Sequence, residues 1–392
     1  MSRFVLFAQG LRPFFLLAGL DALFNIALWL CVYFHPALWP ADALPSPYWH
    51  GHEMIFGFIA AAIAGFLLTA VPGWTGRSSY AGAPLVALAA LWLLGRIAFL
   101  PFAGVGRIAA GAVDLAFFPA LALTLAPTLI KARKLRNLPF LVLLTALFIA
   151  NLLFYLGWTD VLPGGELTGL MLAVDVILLL VTIVGGRIIP AFTRSGLKLR
   201  GSAVEIGANP WVEGAVIAAM LAVLVGDLVA PMSEANGIVA FIAALAQFVR
   251  WAQWKGRHTL GEPLIWVLHL GYAWIVVGLA LKGCLFLFQA AFAAKWLHAF
   301  TIGAFSTMVL AVMTRASLGH TGRALLAPKP MTAAYLLLTL AALVRVFGPA
   351  VAPQYYDTTI ALTGAAWLLA FVLFVIVYGP ILTRPRADGR PG

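Results

Sequence analysis

Twelve long apolar segments dominate this sequence and decide its fold class. They lie between clusters of Pro, Gly and charged residues, at 12–35, 49–72, 82–101, 107–130, 137–158, 166–189, 209–230, 234–254, 262–286, 292–315, 330–348 and 356–382. Each is close to the ~20 apolar residues that a helix needs to cross a bilayer. The segments therefore predict an all-α polytopic membrane protein with 12 transmembrane helices.

The composition predicts a single membrane domain that covers residues 1–392. Hydrophobic residues make up 63% of the chain and charged residues only 10%, whereas soluble proteins are about half apolar and a quarter charged. No polar stretch is long enough to form a separate soluble domain. The net charge of +11 does not indicate nucleic acid, because basic residues of membrane proteins gather in cytoplasmic loops. The predicted partner is the lipid bilayer.

The loop charges predict the orientation of the chain. Basic residues concentrate in loops after even-numbered segments, as at 131–136 and 194–200, and in the C-terminal tail. Loops after odd-numbered segments are mainly acidic, with Asp42, Asp160 and Asp357. Because cytoplasmic loops carry the excess of Lys and Arg, both termini are predicted to be cytoplasmic.

An internal repeat relates distant parts of the chain. His52 aligns with His298 (298 − 52 = 246), and at the same offset "GWTGR" at 73–77 aligns with "GHTGR" at 319–323. Half of this offset, 123, takes His52 to Asp175 in the sixth segment. The simplest interpretation is three diverged pseudo-repeats of four helices. Their predicted bounds are about 1–131, 132–257 and 258–392.

Polar side chains within apolar segments need a partner or a function. In "YWHGHE", at the start of the second segment, His50 and His52 precede Glu53. Neutral imidazole suits copper, zinc and haem iron, so histidines on repeat-equivalent helices favour metal or haem ligation. In a helix, His50 and His52 point about 200° apart, so one centre binds both only if the first turn unwinds at Gly51. The alternative is a buried histidine with satisfied hydrogen bonds.

Other polar residues extend this candidate site. Glu53 and Asp175 are candidate catalytic carboxylates, which would donate protons or orient a ligating imidazole. Tyr272 lies three residues after His269, and this aromatic face suits a bound macrocycle or plain helix packing. Arg96 and Arg345 would hold the carboxylates of such a cofactor, or would pair with acids inside the membrane. The candidate metal or haem ligands are His50, His52, His269, His298 and His320.

Several motifs resemble the NnrS family from about residue 12 to the end of the chain. They are "WHGHEMIFGFIAAAIAGFLLTAVPGWTGR", "GGRIIPAFTR", "HLGYAW" and "MTRASLGHTGR". The resemblance implies a multi-pass protein of the bacterial cytoplasmic (inner) membrane that contains haem, expected to be b-type, and copper. It also implies a role with nitric oxide or a related small nitrogen oxide, and it marks the five histidines for testing. The electron donor, the haem and copper assignments and the oligomeric state stay open.

Three functions fit these observations. The first is an oxidoreductase of nitric oxide reductase type, in which two NO, two protons and two electrons give N₂O and water. The three-part architecture resembles that enzyme's catalytic subunit, but the sixth segment has Asp175 instead of histidine and the seventh has no histidine, so the site chemistry must differ. The second is a 12-helix transporter of metal or haem. The third is a haem-binding NO sensor without turnover.

Overall fold

Twelve helices make up most of the chain in the computed structural model, which describes residues 5–133, 135–202 and 204–390. No β-strand occurs among these residues, and the prediction of an all-α protein with twelve helices is confirmed. In chain order the helices are α1 (Leu11–Phe34), α2 (Ser46–Thr75), α3 (Ala83–Ala98), α4 (Arg107–Lys131), α5 (Pro139–Trp158), α6 (Gly165–Leu199), α7 (Pro210–Val229), α8 (Glu234–Gln253), α9 (Pro263–Phe288), α10 (Ala291–His320), α11 (Lys329–Val351) and α12 (Tyr356–Thr383).

Eleven helices of the described chain are long and apolar enough to cross a membrane, which makes this a multi-pass membrane protein. The exception is α3, whose 16 residues extend only about 24 Å against a hydrocarbon core of ~30 Å. It ends at Ala98, shortly before Pro101, so the predicted span of 82–101 was too long. Conversely, α6 continues through Pro190 to Leu199. Membrane helices tolerate an internal proline because neighbouring helices and side chains satisfy the backbone groups that it leaves unpaired.

The chain divides into two compact units. Unit 1 comprises Met1–Ala173, Ala316–Ala324 and Phe371–Gly392, and unit 2 comprises Val174–Arg315 and Leu325–Ala370. Unit 1 contains α1 to α5, with α1 packed along α2. Unit 2 contains α7, α8, α9 and α11, and there α9 packs against α8 and α10.

The helices α2 and α10 share a departure from regular α geometry. In α2 a π-helical segment spans Glu53–Ile59, immediately after His52. In α10 a π-helical segment spans Ala299–Ser306, immediately after His298. The two segments start 246 residues apart (299 − 53), which is the offset of the sequence repeat. Since π-helical segments are rare and are frequent at functional sites, this shared geometry marks both histidines.

The ends of these two helices also match. Gly76 and Gly322 (322 − 76 = 246) adopt left-handed φ angles of 67° and 70°, which glycine takes at little cost. The amides of Arg77 and Arg323 then bond back to carbonyls five residues earlier, at 3.0 and 2.9 Å, as in a Schellman cap. In α6 the corresponding left-handed residue is Gly201, at an offset of 125 (201 − 76). The backbone supports equivalence of α2 and α10, whereas the three-repeat organisation stays a prediction.

Candidate functional site

A buried cluster of acidic, basic and amide side chains surrounds His52 in unit 1. The His52 side chain is fully buried, at 0% exposure. Its Nδ1 lies 3.1 Å from Glu53 Oε1, and its Nε2 lies 3.0 Å from Asn151 Oδ1. Arg96 forms ion pairs with both Glu53 and Asp114. Thus α2, α3, α4 and α5 each contribute at least one side chain to a single site, which we call the His52 cluster.

The directions of these hydrogen bonds locate the protons. Asn151 Nδ2 donates to Asp114 Oδ2 at 2.8 Å, which leaves Asn151 Oδ1 to accept from His52 Nε2. The contact between His52 Nδ1 and Glu53 Oε1 then requires one proton, which either atom can carry. The net charge of the His52–Glu53 pair is zero wherever the shared proton lies. The positive charge of Arg96 balances the negative charge of Asp114. The His52 cluster therefore holds one exchangeable proton between His52 and Glu53.

The π-helical segment of α2 brings its backbone close to the His52 cluster. A Cβ atom at Gly57 would lie 2.7 Å from Asp21 Oδ2 and 3.3 Å from Arg96 Cδ, so a larger residue does not fit without movement. The Gly57 carbonyl accepts a hydrogen bond from Trp92 Nε1 at 3.2 Å. Asp21 in turn accepts a bond from Asn25 Nδ2 at 2.9 Å. Glycine at this position thus allows a third carboxyl group, that of Asp21, to approach Arg96 beside Glu53 and Asp114.

His50 and His52 do not converge on one centre. Residues Ser46–His52 form a regular α-helix of seven residues. The helix is not unwound at Gly51, as a centre shared by His50 and His52 would require. The His50 ring stacks on Trp29 of α1, with centroids 4.5 Å apart and an interplanar angle of 17°. The His52 ring instead packs against Phe99, with centroids 4.0 Å apart. The two imidazoles face different neighbours, as the helical spacing predicts.

His269 in unit 2 has the hydrogen-bond pattern of a ligating imidazole. Its Nε2 lies 2.8 Å from Thr193 Oγ1, and the Thr193 hydroxyl already donates to the Ile189 carbonyl at 2.8 Å. The Nε2–H group must therefore donate, which leaves the lone pair on Nδ1. This Nδ1 is buried without a hydrogen-bond partner in the described part of the chain. A Cβ at Gly256 would lie 2.6 Å from it, so a ligand at Nδ1 requires the turn at Gly256 to move.

Tyr272 belongs to a buried network rather than to an open aromatic face. Its hydroxyl donates to Gln247 Oε1 at 2.5 Å and accepts from Arg250 Nη1 at 2.8 Å. Arg250 also forms an ion pair with Glu213. The side chain predicted to flank a cofactor is thus fully hydrogen-bonded within unit 2, and Arg250 was not predicted as its partner.

Asp175 lies in a second buried polar cluster, in unit 2. This residue is 5% exposed, and its Oδ2 is buried without a hydrogen-bond partner among the described residues. The two Asp227 oxygens accept from Asn236 Nδ2, at 2.5 Å, and from Lys282 Nζ. Lys282 thus pairs with Asp227 and not with Asp175, so no ion pair of the described residues neutralises an Asp175 carboxylate. Here α6, α7, α8 and α9 each contribute one side chain, as α2 to α5 do around His52.

The remaining predicted ligands are not brought together. His298 is half-buried at the start of its π-helical segment. His320 is exposed and is the last residue of α10, which extends beyond the predicted end of the tenth segment at 315. Within residues 5–133, 135–202 and 204–390, no group of three or more His, Cys, Asp or Glu side chains is placed to hold a metal ion.

Asn151 was not predicted to belong to the site. An isolated amide in the apolar run "FIANLLFY" is nevertheless a recognisable signal.

Comparison with known proteins supports the family resemblance. A family model described as NnrS protein matches residues 5–386. The chain belongs to the NnrS family. The match covers nearly the whole chain, and the NnrS name carries a general link to the nitric oxide response. A search of curated proteins finds no match to this chain.

Proposed function

We propose that this NnrS-family protein acts on nitric oxide or a related nitrogen oxide, by reducing it or otherwise relieving nitrosative stress. The observation that carries the proposal is the buried contact of 3.1 Å between His52 Nδ1 and Glu53 Oε1, which requires a shared proton. Reduction of two NO molecules to N₂O and water consumes two protons and two electrons. A membrane-embedded reaction of this kind needs a buried proton donor, and intramembrane ionisable groups commonly form proton relays.

Each side chain of the His52 cluster has a separate task in this proposal. Glu53 donates the proton, and Arg96 stabilises the carboxylate that remains through their ion pair. Asn151 holds the His52 ring in one orientation through Nε2. Asp175, buried without an ion-pair partner among the described residues, is in this proposal protonated and a second proton donor within unit 2. Glu53 and Asp175 keep in this proposal the catalytic role that the sequence analysis predicted for them.

Of the two proposed cofactors, haem has a better candidate ligand among the described residues than copper has. His269 is the proposed haem-binding residue because its Nδ1 has no hydrogen-bond partner among the described residues, and it would hold haem only with the turn at Gly256 displaced. Haem of b type bound there would supply the redox chemistry. His52 does not fit either cofactor while both of its ring nitrogens are hydrogen-bonded. The described residues assemble no multi-ligand copper site, so we assign no step to copper. Its candidate positions are His50, His298 and His320.

The decisive experiment measures cofactor content and NO consumption in the purified protein. We expect a haem spectrum that is lost in His269→Ala and retained in His258→Ala. His258 is a suitable control because it is exposed in the turn next to Gly256. A colourless wild-type preparation would refute the haem assignment. Protein that binds NO without consuming it would favour the sensor function.

The proton-donor role has its own test. Glu53→Gln removes the exchangeable proton but retains the acceptor for Arg96. We expect haem content to be unchanged and NO consumption to fall about 100-fold, the lower end of the contribution of general acid catalysis. Glu166→Gln, at the start of α6 and outside the cluster, is the matched control. Equal NO consumption by both variants would exclude Glu53 as the proton donor.

A further inference from the structure

Two basic side chains in unit 2 meet at one tyrosine. Lys295 precedes the first α-helical turn of α10, Arg345 lies six residues before the end of α11 (351 − 345), and Tyr356 begins α12. Lys295 Nζ and Arg345 Nη2 each lie 3.3 Å from Tyr356 Oη. Both cations also lie over the Tyr356 ring, 5.2 and 5.5 Å from its centroid. Two positive charges thus surround one neutral phenol.

Neither cation has an acidic partner in the part of the chain that the structure describes. The ion pairs within 4.0 Å there include Arg96, Lys282 and Arg250, but neither Lys295 nor Arg345. Arg345 Nη1 is buried and has no hydrogen-bond partner among the described residues. A buried, unpaired donor on a charged group is costly. Neither positive charge is therefore neutralised by an ion pair within 4.0 Å among the described residues.

The donors left over at this site suit an anion. Tyr356 Oη accepts from both cations, so its O–H group is directed to a further acceptor. Arg345 Nη1 and the remaining N–H groups of Lys295 are also uncommitted. We propose that Lys295, Arg345 and Tyr356 form a binding site for an anionic oxygen group, such as a free oxyanion or a lipid phosphate. Guanidinium groups recognise such oxygens well.

The anion site adjoins a residue that the sequence analysis singled out. The backbone amide of His298 donates to the Lys295 carbonyl at 2.9 Å, so the bound charge lies one turn from the π-helical segment of α10. This inference does not depend on NO chemistry or on a metal. It is therefore tested by binding alone.

The test titrates sodium nitrite, a small oxyanion, into the protein in phosphatidylcholine nanodiscs and measures binding by calorimetry. We expect saturable binding that weakens about tenfold or more in Arg345→Gln and Lys295→Gln, since each removes a charge-assisted hydrogen bond. Tyr356→Phe keeps the ring but removes the hydroxyl, and it should also weaken binding. Arg107→Gln is the control, because Arg107 lies 5.9 Å from the Trp158 ring centroid but has an acidic partner, Asp160.

A second arm identifies the source of the anion. Nitrite binding that persists in phosphatidylglycerol nanodiscs indicates a free oxyanion. If nitrite does not bind, native mass spectrometry should show phosphatidylglycerol retained by the wild type and lost from Arg345→Gln, which indicates lipid phosphate. If wild type and all three site variants behave alike in both arms, the proposal is overturned. If Arg345→Gln does not fold, the binding measurements on Lys295→Gln and Tyr356→Phe test the proposal in its place.

Discussion

Replacement of Arg96 by methionine should destabilise the protein strongly, because it leaves the buried Asp114 carboxylate without its cation and Glu53 without its ion-pair partner. Arg96 is 6% exposed, and its partners Glu53 and Asp114 are 1% and 4% exposed. Methionine keeps much of the side-chain volume, so the loss is mainly electrostatic. Removing one partner of a buried ion pair costs about 3–5 kcal/mol. We expect the free energy of unfolding to fall by that amount.

The assay is a reversible unfolding titration with sodium dodecyl sulfate, followed by tryptophan fluorescence. Arg107→Met is the matched control, because Arg107 and Asp160 form an exposed pair at 3.3 Å that should contribute about 1 kcal/mol or less. The double variant Arg96→Met/Asp114→Asn should recover about 1 kcal/mol or more, because the unpaired charge of Asp114 is gone. If Arg96→Met costs no more than Arg107→Met, the His52 cluster is not held by ion pairs.

Three further predictions concern other parts of the molecule. Gly57→Ala should destabilise the protein, because its Cβ would lie 2.7 Å from a carboxylate oxygen of Asp21. Gly73→Ala is the control and should not destabilise the protein, because no atom lies within 4 Å of its Cβ. The dodecyl sulfate unfolding titration compares the two variants. Asp175→Asn should remove the infrared carbonyl band of a protonated carboxyl group, and a band of unchanged intensity contradicts the assigned proton. Hydrogen bonding by Arg386 lowers the pKa of Asp388 to about 2, so this pair stabilises the C-terminal tail above the usual pKa of about 4. That stabilisation is lost as the pH falls through about 2, and hydrogen exchange of the tail amides should show the loss.

Much of the fold is predictable from this sequence because membrane insertion depends on apolarity averaged over about 20 residues. The errors arise at helix ends, where local rules and membrane packing compete. Pro190 suggests an end to α6, yet the helix continues to Leu199. His320 resembles a loop residue beside Gly319, yet α10 includes it.

The site is less predictable, because it depends on the depth and rotation of separate helices. The sequence identifies His52, Glu53 and Arg96 as unusual, and periodicity separates His50 from His52. It does not show that Arg96 faces two acids, since those acids lie on different helices. Nor does it show that the lone pair of His269 is on Nδ1, which follows from a hydroxyl on α6.

The short helix α3 has a consequence for the lipid around it. A helix of about 24 Å in a hydrocarbon layer of ~30 Å leaves about 6 Å uncovered, which bilayers accommodate by thinning locally. Arg96 lies in the last turn of α3, so headgroups and water that reach Ala98 come within about one helical pitch, ~5 Å along the axis, of the ion pairs. The thinnest part of the membrane would then lie beside the proton shared by His52 and Glu53. A proton from the aqueous phase would cross only a short low-dielectric distance to replace it.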